Sequence, residues 1–212
     1  MEKITKLLVF CCITVFLLSS CSSTPDSSGG LESRTPLVPL SCIAVLPAGT
    51  SVDKDETISY EEAQSLEKGA ALATKVIGDT LAGKETVRII TSSQLSELVP
   101  GISGGVSGTV TALGEKMNCD AVLITTVRKF KQREGGDYSV DSPASADVRM
   151  VLRHAANYNV LWTADYRETQ ESFLKNIFSY NKIQKRGFKW ITVEDLLEQG
   201  IKDRLAECPY LQ

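Results

Sequence analysis

The side chains of this 212-residue sequence best suited to chemistry are six cysteines, one histidine and scattered carboxylates. His154 is the sole imidazole, and therefore the one side chain whose ordinary pKa suits proton transfer near neutral pH. It shares strand parity with Val148, Met150 and Leu152, which places it at the end of an inward-facing row. Gly101-Ile102-Ser103-Gly104-Gly105 matches the letters of Gly-x-Ser-x-Gly, but it follows a short helix and Pro100 where a nucleophile elbow follows a strand, and no Ser or Cys is tied to His154 by a motif, so a Ser–His or Cys–His hydrolase is disfavoured. Without a Cys-x-x-Cys, and with one histidine, a zinc site of ordinary ligand spacing is not expected. Asp165, Glu168 and Glu171 flank a strand end and read as a solvated rim. The run Gly101 to Gly108 precedes a helix, where free amides can bind an anion. It lacks the Gly-Lys-Ser/Thr ending of a P-loop and the Gly-x-Gly-x-x-Gly of a dinucleotide site, and reads as a connecting loop. An enzyme using a cleft beside it is the remaining catalytic alternative. No cofactor is expected.

The chemistry the sequence does specify lies at its start. Lys3 and Lys6 precede an apolar run from Leu7 to Leu18. That run is too short for a membrane span, which needs about 20 residues, and matches the core of a signal peptide. Leu18-Ser19-Ser20-Cys21 then resembles a bacterial lipobox. On that reading residues 1–20 are a signal peptide, and Cys21 becomes the acylated N-terminus. Two or more acyl chains anchor a protein stably where one does not, and a bacterial lipoprotein cysteine typically carries three. Position 22 is Ser and not Asp, which resembles the outer-membrane default of Gram-negative lipoproteins. The expected location is the periplasmic face of the outer membrane, with the lipid on Cys21 as the contact to the membrane.

Residues 21–40 form a lipidated tether rich in Ser, Pro and Gly, and residues 41–212 a single α/β domain. Residues 22–40 reach at most about 65 Å stretched and average about 24 Å as a coil, so the domain hangs close to its membrane. The chain has 23 basic and 26 acidic residues, and loss of Lys3, Lys6 and Glu2 leaves 21 against 25. That balance gives no sign of a nucleic-acid partner.

The domain opens with Cys42-Ile43-Ala44-Val45-Leu46-Pro47, a continuous apolar run that suits a buried strand. Ser59 and Glu62 have capping-box spacing ahead of a helix through Leu66, Ala70, Ala73, Ile77 and Leu81, stopped at Gly83. A second strand covers 87–91, and Thr91 with Gln94 caps a short helix ending before Pro100. Val106, Val110, Leu113 and Met117 mark one face of the next helix, and a third strand runs from Ala121 to Phe130. Strand–helix–strand–helix–strand predicts a parallel core. Residues 131–144 read as a polar loop. Residues 145–154 alternate, with Ala146, Val148, Met150 and Leu152 inward and Asp147, Arg149 and Arg153 outward. Val160, Trp162, Ala164 and Tyr166 alternate again, giving an antiparallel hairpin. Trp162 and Tyr166 read as core, with a glycan-stacking platform as the alternative. Helices follow over roughly 172–185 and 193–207, the last capped by Thr192 with Leu197, Ile201 and Leu205 inward. The fold class is therefore α/β: a mixed sheet with helices packed on it.

Four segments in this order carry a resemblance: Ile43–Pro47, the helix leading into Cys119–Leu123, the strand at 145–154, and Val160–Ala164 followed by Glu168-Thr169-Gln170. Together they resemble the envelope lipoproteins that share the α/β fold of the TolB N-terminal domain, a group that includes CsgG, PelC and LpoB. The chain is too short for the TolB propeller. Residues 131–144 lack the alternating strands of a CsgG-type barrel, and the tether is shorter than that of LpoB. The resemblance implies a non-enzymatic accessory or assembly subunit of an envelope export or secretion complex, of the PelC type. Its partners would be an envelope complex or further copies of itself. A regulator of peptidoglycan synthesis acting by protein contact is the alternative within the group.

Two site expectations follow. Cys11 and Cys12 leave with the signal peptide and Cys21 is acylated, so Cys42, Cys119 and Cys208 remain in an oxidising compartment. Cys119 opens a strand where the related lipoproteins carry a small buried residue, which implies a packed thiol there. Cys208 shares a helix face with Ile201 and Leu205, so the expected bridge is Cys42–Cys208. Residues 175–190 hold Lys175, Lys182, Lys185, Arg186 and Lys189 and no acid. They form a candidate surface for anionic head groups or an acidic polymer, against the plainer reading of a solvated helix.

Overall fold

The computed structural model describes residues 38–51, 57–99, 105–135, 140–169 and 191–212. All belong to Ser33–Gln212, the second of two units into which the chain divides. Strand β1 (Ile43–Val45) is buried at every position. It lies between β3 (Val87–Ile89) and β4 (Ala121–Lys131), parallel to both, with Ile43 opposite Val87 on one side and Ala121 on the other. The two-residue β2 (Gly49–Thr50) pairs with β4 further along. A strand screened on both faces has no reason to alternate, which is why Ile-Ala-Val reads as one apolar run.

The other side of β4 carries the hairpin. Strand β7 (Ser145–His154) runs antiparallel to β4, and β8 (Val160–Thr169) antiparallel to β7. The order is β3-β1-β4-β7-β8, so β4 joins a parallel half to an antiparallel half. Residues 131–144, expected as loop, contain a small ladder of β5 (Glu134–Gly135) and β6 (Val140–Ser142).

The sequence sets the helix boundaries locally. Helix α1 (Tyr60–Leu81) starts at Ser59, whose hydroxyl accepts from the Glu62 amide at 3.2 Å, while the Glu62 carboxylate accepts from the Ser59 amide at 2.9 Å. A cap of this kind stabilises a helix by ~1 kcal/mol. After α1, Gly83 takes a φ of +79°, a left-handed conformation that glycine adopts without a Cβ penalty. Helix α2 (Ser92–Leu98) has the predicted Thr91–Gln94 capping box. Helix α3 (Gly105–Met117) buries Val110, Leu113 and Gly114, whereas Val106, expected inward, is exposed in its first turn. Helix α4 (Val193–Ala206) is capped by Thr192 with Asp195 at its third position.

The helices divide unequally between the two faces. On one face α1 and α4 build the main core with Ile43, Val45, Leu123, Val127, Val148, Met150, Leu152 and Tyr166. On the other, α2 and α3 enclose a smaller core with Cys42, Ala44, Leu46, Ile90 and Val122. That second layer covers the parallel half. Among the described residues the fold is three-layered at β1-β4 and two-layered at β7-β8.

Candidate functional site

Three polar residues meet where the chain enters the sheet. The Asp120 carboxylate accepts from the Ser41 hydroxyl at 2.6 Å, the Ser41 amide at 2.6 Å and the Cys42 amide at 3.2 Å. The Ser41 hydroxyl and then its amide, with smaller help from the field of His154, hold the Asp120 carboxyl below its ordinary value. His154 Nδ1 accepts from the Ala156 amide at 3.2 Å, within its own turn. Serine, histidine and aspartate are thus neighbours, but the order is wrong for a nucleophile. The serine proton is offered to a carboxylate whose basicity is reduced, and the imidazole accepts through Nδ1 from the backbone of its own turn. This arrangement is a clip that fixes the first residues of β1 to the start of β4.

The expected Cys42–Cys208 bridge is not formed. Cys42 pairs with Cys119, with Cα atoms 4.5 Å apart, within the range that a disulfide spans. The reason is the sheet. Cys42 immediately precedes β1, Cys119 stands two positions ahead of the neighbouring parallel β4, and both face the smaller core. Cys208 belongs to the main core on the opposite face, so the sheet stands between it and Cys42. Cys208 is the packed thiol instead. It is free and buried, and burial pushes its pKa up to about 11, leaving little thiolate to react.

The face of the antiparallel half that no described helix covers, called the bare face below, is charged. Asp147, expected to point to solvent, is only 5% exposed. Arg128 Nε donates to one of its oxygens at 2.9 Å and Arg167 Nε to the other at 2.6 Å. Arg128 also reaches Asp165 at 2.6 Å. Burial opposes the charge on Arg128, and the hydrogen bond and field of Asp147, joined by Asp165, outweigh it and raise its pKa. Arg149, between Thr126 and Asp165 in register, is exposed. Arg153 stacks over Tyr158 with its guanidinium carbon 4.0 Å from the ring centre, and donates to the Tyr158 carbonyl at 3.0 Å. A groove of about 800 Å³ runs beside this face toward the start of α1, lined by Arg128, Lys131, Asp147 and Arg167 together with Glu61 and Glu62. Both signs are present and largely paired with each other, which suits recognition of another folded surface better than bond making.

Among the sequence-predicted residues, Cys21, Lys175, Lys182, Lys185, Arg186 and Lys189 lie outside the described residues, as do Glu171 and 101–104. Gly105–Gly108 form the first turn of α3. Tyr166 is buried and Trp162 half-buried against the main core, as their parity predicts. Asp165 is committed to Arg128, and Glu168 accepts from the Tyr166 hydroxyl at 3.0 Å. Among the described residues no three His, Cys, Asp or Glu side chains could hold a metal ion, and no helix is long and apolar enough to cross a membrane. The arginine clamp on Asp147 escaped the sequence reading. Its one trace was Arg128, which departs from the apolar start of β4 to sit at a bulge between Val127 and Lys129.

No family model and no curated protein matches this chain. Similar solved structures exist. The PelC dodecamer from Paraburkholderia phytofirmans is 16% identical, over 81% of this chain and 87% of that one, with a TM-score of 0.44. The LpoB C-terminal domain from Escherichia coli is 14% identical over 63% and 86%, with a TM-score of 0.40. Lipoprotein GNA1162 from Neisseria meningitidis is 15% identical over 69% and 97%, also at 0.40. Likeness of this degree concerns the arrangement of strands and helices, and arrangement does not assign function.

Proposed function

We propose that this chain is a non-catalytic, lipid-anchored docking subunit at the periplasmic face of the outer membrane, serving an envelope export or secretion complex. The observation that carries docking over catalysis is a sheet that the described helices cover only in half. One face of β4-β7-β8 presents a lattice of paired arginines and aspartates, while the Ser41–Asp120–His154 group is ordered as a clip. The membrane location rests on Leu18-Ser19-Ser20-Cys21 and the short tether behind it. The export setting rests on the resemblance of the four segments to TolB-like envelope lipoproteins. The test is complementation in cells lacking the chain, with envelope fractionation and cargo export as the readouts. Wild type and His154→Ala should fractionate with the outer membrane and restore export, and Cys21→Ala should do neither. A folded His154→Ala that fails to restore function would overturn the non-catalytic reading. Restoration of peptidoglycan synthesis with export unaffected would move the chain to cell-wall regulation.

A further inference from the structure

Positive charge is concentrated in one stretch of an acidic chain. Residues 128–190 hold 12 bases and 7 acids, whereas the rest of residues 21–212 holds 9 bases and 18 acids. The described part of that stretch supplies the charges of the bare face. Strand β4 contributes Arg128, Lys129 and Lys131, β7 Asp147, Arg149 and Arg153, and β8 Asp165 and Arg167, so six bases meet two acids. Arg128 and Arg167 share Asp147, and Arg128 also holds Asp165. Arg153 is held by Tyr158, and Lys131 has Glu134 at 4.0 Å. Lys129 and Arg149 are exposed and have no ion pair among the described residues. Residues 170–190, which follow β8 in the chain, contain five bases and one acid. Their charge adds to that of the face and does not neutralise it.

We propose that this face binds an extended polysaccharide that bears carboxylates, with Lys129 and Arg149 as its free cationic contacts. The proposal rests on the export reading for its setting and names a class of cargo. Length selects an extended chain. Arg153 stands opposite Val122, and Lys131 lies nine residues farther along β4, so the cations run for about 30 Å at the rise of a strand. A small anion meets one or two of them. A flat anionic membrane would also meet Glu61, Glu62 and Glu134, which line the groove beside Lys131 and repel it. A flexible chain can follow the cations and pass those acids by. The uncharged neighbours select sugar over peptide. Thr126, Thr163 and Thr169 place hydroxyls on this face. Among the exposed large hydrophobic residues described, Val160 alone belongs to these three strands, at one end. Protein segments are anchored by apolar and aromatic side chains in pockets. Hydroxyls beside guanidinium and ammonium groups instead match a polymer of hydroxyls and carboxylates, which a guanidinium can bind through two parallel hydrogen bonds. Exposed ionic contacts of this kind weaken as salt screens them.

The experiment titrates the full-length chain, in a neutral detergent, with polygalacturonate at low and high salt. Wild type should bind at low salt and release as salt rises, and should ignore uncharged dextran. Lys129→Gln with Arg149→Gln removes the two free cations and leaves the Arg128–Asp147–Arg167 group in place. It should weaken binding about tenfold, as expected when two exposed ionic contacts are lost. Lys68→Gln with Lys75→Gln removes the same charge from exposed positions of α1 and should bind like wild type, which separates a local site from net charge. Lys129→Arg with Arg149→Lys keeps the charge and should keep the binding, which separates loss of charge from misfolding. The proposal is overturned by a wild type that binds polygalacturonate no better than dextran, by a double Gln variant that binds like wild type, or by an equal loss in the α1 control. It is also overturned if poly-glutamate binds this face more tightly than polygalacturonate, which would make the ligand an acidic protein segment. Tighter binding to anionic phospholipid vesicles through Lys129 and Arg149 would overturn it in favour of a membrane. None of these outcomes touches the anchoring reading, which the location of Cys21→Ala decides separately.

Discussion

The two halves of the sheet share strand β4 and differ in nearly everything else. In the parallel half β1 is enclosed on both faces, β1 and β3 are three residues each, and a disulfide staples its start. Among the described residues the antiparallel half is enclosed on one face, its strands are about three times as long, and arginines and aspartates order its other face. One half is built to persist and the other to present a surface. Cover decides the difference. A strand with helices on both sides is stabilised by burial wherever its side chains point, whereas a strand with one bare face must alternate.

The largest expected test of this contrast is loss of the staple. The Cys42–Cys119 link closes 77 residues, for which chain entropy gives about 4 kcal/mol of stabilisation. Cys42→Ala with Cys119→Ala should lower the unfolding free energy by that order in denaturant titration. Peptide mapping without reduction should show this pair joined and Cys208 alkylated only after unfolding. Next come truncations on the two faces of the sheet. Leu123→Ala, at a fully buried site, should cost roughly 3 kcal/mol, and Val151→Ala on the bare face below ~1 kcal/mol. Equal costs would erase the distinction between covered and bare faces. Glycines sharpen it further. A Cβ at Gly200 would meet the Tyr166 ring at 2.3 Å, whereas one at Gly78 would meet nothing within 4 Å. Gly200→Ala should therefore destabilise by about 1–3 kcal/mol, while Gly78→Ala should stabilise by up to ~1 kcal/mol. Thermal melts decide both.

The smallest expected effect is that of the Asp120 clip, and it carries a pH signature. Its folded pKa is held below the ordinary 3.8. A carboxylate depressed in the folded state adds stability above its unfolded pKa and loses it as pH falls through the folded value. Wild type should melt above Asp120→Asn at pH about 6, and the gap should narrow below pH about 3.5. A gap that widens in acid would show that the clip does not hold the charged form.

Much of the fold was legible because its signals are local. Ser59 with Glu62, and Thr91 with Gln94, announce helix starts through hydrogen bonds three residues long. The alternation at 145–154 announces a strand with one buried face. What was not legible depends on which elements become neighbours. The partner of Cys42 is decided by which face of the sheet Cys119 and Cys208 occupy, and spacing along the chain does not report a face. Asp147 read as a solvent-facing residue because its parity is outward. Its burial is due to Arg128 and Arg167, which arrive on two other strands. Val106 sits four residues before Val110, the right spacing for the buried face of α3, yet in the first turn it is exposed.

The position of the staple has a mechanical consequence. On the proposed reading of a lipid-anchored chain, the domain is pulled at Ser41. The three-residue β1 offers few hydrogen bonds to resist such a pull. The disulfide begins at the very next residue and leads to Cys119, two positions ahead of the 11-residue β4. On that reading a pull at Ser41 is diverted through a covalent link into β4, which is gripped on both edges, before it can peel β1 away.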